Sequence, residues 1–271
     1  MKYLDESVPS AKSAKKKEEL SLMDSNQSGL PSPEDMNVGL YHFIRENNDQ
    51  GVALRQEGEL DEAISNYDRV LSIKGDVAVV YNNRGVVWLE RGNPDRAISD
   101  FDKAVDIAPD FAAPYYNRGI AHRKKRNLEQ AIADFSLALE KEPHLPEAYN
   151  NRGEAWSRKG DLERAIADYS RAIALEADFV AAYNNRGEAQ YKKQNFDHAI
   201  EDYSRALKIN PEFAIAYFNR ALAWCAQKQP ERAFENFRRV LELDPELLKA
   251  HCRVSEYLKK GSVDRVCRKF E

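Results

Sequence analysis

Between residues 44 and 247 small, aromatic and polar positions recur every 34 residues, which divides this stretch into six blocks: 44–77, 78–111, 112–145, 146–179, 180–213 and 214–247. With positions numbered 1 to 34 inside each block, position 20 is alanine throughout (Ala63, Ala97, Ala131, Ala165, Ala199, Ala233). Position 24 is always aromatic: Tyr67, Phe101, Phe135, Tyr169, Tyr203 and Phe237. Position 8 is glycine in five blocks and Ala221 in the sixth. Apolar residues at 20, 21, 24, 27 and 28 trace one stripe of a helix. A second helix is expected over the first half of each block. Gly58, Gly92 and Gly160 at position 15 end it, and Asn93 and Asp161 at position 16 open the next one. Pro109, Pro143, Pro211 and Pro245 close the second helix, because proline has no N–H to offer a helix interior. Each block therefore predicts a helix pair, A then B. Small residues at 8 and 20 let the two approach, and the ring at 24 fills the space beside them. One such pair cannot cover its own apolar faces, whereas stacked neighbours do.

A Tyr-x-Asn-Arg-Gly cassette opens at Tyr81, Tyr115, Tyr149 and Tyr183, with Ala221 in place of glycine in the copy at Tyr217. Period and cassette together resemble the tetratricopeptide repeat family. That resemblance implies an all-α fold, a right-handed α-α superhelix or solenoid of about six helix-turn-helix repeats. Residues 1–40 are expected to form a disordered tail and 41–247 the repeats. Residues 248–271, with Leu248, Ala250, Val254, Tyr257 and Leu258, read as a C-terminal capping helix.

Composition narrows the function classes. A net charge of −4 gives no general attraction to phosphate backbones, so no nucleic acid partner is expected. No apolar run approaches the roughly 18 residues of a membrane span. The N-terminus lacks the apolar core of a secretory signal. Cys225, Cys252 and Cys267 form neither a CxxC pair nor an even set, which predicts free or buried thiols and a cytoplasmic setting. His42, His122, His144, His198 and His251 are dispersed at no metal-ligand spacing, and no phosphate loop or nucleophile elbow occurs. No catalytic residue, metal or cofactor is expected.

The resemblance directs attention to the concave groove of the superhelix, lined by the A helices at positions 2, 5, 6, 9, 12 and 13, where the family binds extended peptides or partner proteins. Position 6 is Asn83, Asn117, Asn151, Asn185 and Asn219, and position 5 adds Asn82, Asn150 and Asn184. An amide offers donor and acceptor together, suited to gripping a peptide backbone. The row is similar to the asparagine ladder of O-linked N-acetylglucosamine transferases. With no glycosyltransferase domain in the sequence, only the peptide-holding role carries over; the alternative is a merely solvated row. Glu154 and Glu188 add acidic character, Lys124, Arg158 and Lys192 a basic row, and Tyr116 and Tyr191 aromatic surface. Position 5 is never lysine, so the carboxylate clamp of chaperone-binding relatives is not formed.

Arg84, Arg118, Arg152 and Arg186 at position 7 each share a block with an aspartate at position 23: Asp100, Asp134, Asp168 and Asp202. An intra-repeat bridge is expected; the alternative is an arginine row for an acidic ligand. The expected function is a non-catalytic scaffold that binds a protein or extended peptide. Self-association through the convex face, or RNA binding, are the alternatives.

Overall fold

The computed structural model describes residues 37–251 together with 261 and 267. Residues 1–36, and most of the expected capping helix, lie outside the described residues. Among the described residues twelve α-helices follow one another: α1 (Val38–Glu57), α2 (Leu60–Ile73), α3 (Ala78–Glu90), α4 (Pro94–Ile107), α5 (Ala112–Lys124), α6 (Leu128–Lys141), α7 (Pro146–Arg158), α8 (Leu162–Leu175), α9 (Val180–Lys192), α10 (Phe196–Ile209), α11 (Ala214–Ala226) and α12 (Pro230–Leu243). A 3-10 helix, Pro245–His251, ends the run. Odd-numbered helices are the A helices of the blocks and even-numbered ones the B helices. The chain divides inside α7 into two compact units, with Ala155 in the first and Trp156 in the second.

Each unit is held by the predicted contacts. A Cβ added at Gly85 would lie 2.6 Å from the Phe101 ring, and one added at Gly187 would lie 2.7 Å from the Tyr203 ring. Glycine at position 8 is thus a requirement of close approach. Tyr67, Phe101 and Phe135 in the first unit, with Tyr203 and Phe237 in the second, are fully buried. Burial of each such ring contributes about 2–3 kcal/mol.

Position 15 is left-handed in every block. Gly58, Gly92 and Gly160 adopt φ of 89°, 74° and 86°, as expected of glycine, but Arg126, Gln194 and Lys228 take the same turn at 63°, 65° and 58°. The turn is kept where the residue that suits it is lost. Asn93 and Asp161 cap the B helices that follow, accepting from the backbone N–H of Arg96 (3.2 Å) and Arg164 (3.0 Å).

Two expectations need correction. The chain is already helical at Val38, capped by the Asn37 side chain, inside the stretch to residue 40 assigned to a tail. Cys225 and Cys267 are joined in a disulfide and buried with Phe218, Leu222, Leu247 and Leu248 at the end of the last repeat. The partners stand 42 residues apart in sequence. Counting cysteines could not reveal a pairing over that separation, and the inference from free thiols to a reducing compartment falls with it.

Candidate interaction site

Part of the asparagine row is buried, where an open row was expected. Asn82 and Asn117 are fully buried, Asn83 is 2% exposed, and Asn150 and Asn184 are buried. Their amides bond to one another across repeats. Asn83 donates through Nδ2 to Asn48 Oδ1 (2.9 Å), Asn117 to Asn82 Oδ1 (2.9 Å) and Asn219 to Asn184 Oδ1 (3.0 Å). Each bond joins position 6 of one repeat to position 5 of the repeat before it. Asn82 Nδ2 donates in turn to Asn83 Oδ1 (3.2 Å), so Asn117, Asn82, Asn83 and Asn48 form one chain of amides with a single direction. At the next step position 5 is Tyr116, whose hydroxyl accepts from Asn151 Nδ2 (2.9 Å). A tyrosine has no amide to give back to its neighbour, and the buried Asn117 Oδ1 is left without a partner. The physical reason for the correction is burial: these amides lie between neighbouring A helices, where a buried polar group has to find its partner within the stack.

Other predicted positions divide in the same way. Tyr116 is 1% exposed and packs on Phe135 with ring centroids 5.8 Å apart, so it is core and not groove surface. Tyr191 is half-buried against Phe196 (5.4 Å), and burial raises its hydroxyl above the ordinary value. Glu154 is held by Arg123 of α5, and Glu188 pairs with Lys192 one turn along α9 (2.7 Å). Half-exposed Asn151, Asn185 and Asn219, and exposed Lys124 and Arg158, complete the set.

Arg84, Arg118 and Arg186 at position 7 form the expected bridges. Arg84 grips Asp100 through Nε (2.8 Å) and Nη2 (2.7 Å), Arg118 grips Asp134 (3.0 and 2.6 Å), and Arg186 grips Asp202 (2.9 and 2.6 Å). Each guanidinium also lies over the position-4 tyrosine of its own helix, 5.5 Å from the ring centre for Arg84 and Arg118. Burial acts to lower the Arg84 and Arg118 groups, but the hydrogen bonds and charges of their aspartates outweigh it and hold both above the ordinary range. The same burial raises Asp100 and Asp202, against the pull of their arginines. The sequence did not reveal a further contact. The remaining nitrogen, Nη1, reaches position 25 of the preceding repeat: Asp102 from Arg118 (2.6 Å) and Ser170 from Arg186 (3.0 Å). The clamp therefore fixes repeat to repeat as well as helix to helix. The only signal for it was the polar character of position 25.

Models of the tetratricopeptide repeat match residues 78–111, 112–145 and 180–213, a further repeat model matches 157–194, and others match 47–77 and 214–247. Together they span more than half of the chain. This is a tetratricopeptide repeat protein. No curated protein sequence matches it. Among solved structures, MamA is 25% identical with a TM-score of 0.57, over 64% of this chain and 94% of MamA. PilF of Pseudomonas aeruginosa has a TM-score of 0.71 at 16% identity, over 80% of this tetratricopeptide repeat chain and 99% of PilF. YrrB, a TPR protein with an unusual peptide-binding site, has a TM-score of 0.59 at 19% identity, over 69% and 97% of the two chains. Among the described residues no helix is long and apolar enough to cross a membrane, and no group of three or more His, Cys, Asp or Glu could hold a metal ion.

Proposed function

We propose that this tetratricopeptide repeat protein is a non-catalytic interaction module, holding an extended peptide or partner segment along the A-helix face of its stacked pairs. The observation that carries the reading is the amide seam. It sets A helices side by side in fixed register, so exposed side chains recur once per repeat on a surface that need not be ordered on binding. YrrB, of the same fold, is described by its peptide-binding site, which supports the reading by analogy.

The seam also changes what asparagine supplies. Asn151 and Asn219 are half-exposed, and each has its Nδ2 committed to the preceding repeat. What they offer a ligand is the carbonyl, an acceptor for a peptide N–H, and the second Nδ2 hydrogen, on an amide already anchored to its neighbour through the first. Lys124 and Arg158 add exposed positive charge.

Panning a random peptide library against the full chain tests this. Peptides of low-micromolar affinity or better are expected, and Lys124→Glu or Arg158→Glu, made singly, should each weaken selected peptides about tenfold while leaving the melting curve in place. Failure to enrich any peptide, or indifference to both reversals, would sink the proposal.

A further inference from the structure

The clamp changes composition along the chain while keeping its geometry. The acceptor reaching each arginine from the preceding repeat is a carboxylate for Arg84 (Asp68, 2.5 Å) and Arg118 (Asp102, 2.6 Å). From there on it is a serine hydroxyl: Ser136 for Arg152 (3.0 Å), Ser170 for Arg186 (3.0 Å) and Ser204 for Arg220 (2.9 Å). The separation is 16 residues every time. In the last repeat the other acceptor is neutral as well, since Arg220 Nε donates to Asn236 Oδ1 (2.8 Å) where Arg84, Arg118 and Arg186 use aspartate. Among the described residues no carboxylate lies within ion-pair distance of Arg220.

Arg220 is thus a half-buried cation in a socket built for anions and holding none. Burial lowers it below the ordinary guanidinium range, opposite to the direction taken by Arg84 and Arg118 beside their aspartates. An uncompensated buried charge is costly. The missing charge has a defined place, because Asp68 and Asp102 occupy the equivalent of Ser204 in the first two clamps. Their side chains touch arginine while remaining 55% and 52% exposed, so a charged group at position 25 reaches both guanidinium and solvent.

We propose that Ser204 is a phosphorylation site whose phosphate is received by Arg220. A protein kinase would transfer the γ-phosphoryl group of a nucleoside triphosphate: the Ser204 Oγ–P bond forms, the bond from phosphorus to the β–γ bridging oxygen breaks, and nucleoside diphosphate leaves. The hydroxyl proton passes to the kinase's base. Phosphate brings about −1.5 to −2 charges and three acceptor oxygens, enough to engage Arg220 by charge-assisted hydrogen bonds. It gives up the present bond from Ser204 Oγ to the Ile200 carbonyl (2.6 Å). Ser170 faces Arg186 in the same way, but Arg186 already holds Asp202, so a phosphate there gains less and meets a like charge.

The test is the full chain carrying phosphoserine at 204, made by genetically encoded incorporation and followed by calorimetry. Relative to serine, phosphoserine 204 should raise the melting temperature by about 2–4 °C. Ser204→Asp should give part of that gain and Ser204→Ala none. The gain should vanish in an Arg220→Gln background and be smaller for phosphoserine at 170. Peptide mapping of the protein from its native cells, isolated with phosphatases inhibited, should find phosphate on Ser204. A lowered melting temperature, a gain that survives Arg220→Gln, or native protein without phosphate at Ser204 overturns the proposal.

Discussion

The clamps of the second and third repeats, centred on Arg84 and Arg118, each place a guanidinium between two aspartates. The clamp of the sixth repeat holds Arg220 in the same position with Asn236 and Ser204. Hydrogen-bond geometry is conserved within the molecule while the negative charge is removed. Register therefore depends on where acceptors stand, and charge decides how much is lost when one is taken away. In the charged clamp, deleting the buried aspartate leaves the arginine only the half-exposed carboxylate of the preceding repeat; in the neutral clamp the cation is already uncompensated.

The largest effect expected from that difference is at Asp134. Asp134→Ala should lower the unfolding free energy by about 3 kcal/mol, the range for breaking a buried pair, and Asn236→Ala by about 1 kcal/mol, a neutral hydrogen bond. Urea unfolding of the two variants measures the contrast, and equal losses would break it. Next comes close approach. Gly119→Ala drives a Cβ to 2.7 Å from Phe135 and should cost about 2 kcal/mol. The sixth repeat accommodates Ala221 at the same position, fully buried, so Ala221→Gly should cost only about 1 kcal/mol, the helix propensity difference. A harmless Gly119→Ala would show that the ring can yield.

Smaller still is the turn. Arg126→Gly, Gln194→Gly and Lys228→Gly should each stabilise by up to about 1 kcal/mol, because each relieves a side chain in left-handed backbone. Thermal melts that move down would mean that the lost side-chain contacts outweigh that strain. The smallest effect concerns His122, which burial holds below its ordinary value of 6.5 despite Asp134 nearby. Unfolded chains take up that proton first as pH falls. Its contribution to stability is complete above pH 6.5 and is lost as pH drops from there to the lower folded value. The fifth repeat carries Gln190 at this position. His122→Gln should therefore make denaturant midpoints less sensitive to pH between 7.5 and 5, and an unchanged slope would discard the assignment.

Periodicity in the sequence was sufficient for whatever repeats within one block. Helix pairs, the Gly85–Phe101 type of contact and the Arg–Asp bridge all join positions of the same 34-residue unit, and the composition of each position already displays the partner. What failed to show were the contacts joining different units or lying off the pattern. Asn83 reaches Asn48, 35 residues back, and that step cannot be distinguished by spacing from a row facing solvent. The second acceptor of Arg118 belongs to the previous repeat. The Cys225–Cys267 bond ties a repeat residue to one beyond the last block. Lys228 adopts a glycine turn with no glycine to announce it.

The amide seam has a polarity, and polarity makes each repeat a coupling with two unlike ends. The position-6 donor faces back, and the position-5 acceptor faces forward. A repeat carrying both can follow any repeat with an acceptor at position 5, and removing one whole unit between two such repeats rejoins a donor to an acceptor. A deletion of another length leaves a buried amide facing a side chain out of phase. Such an array lengthens and shortens by whole 34-residue units and resists every other change of length, which makes its size an inheritable variable independent of the chemistry on its surface.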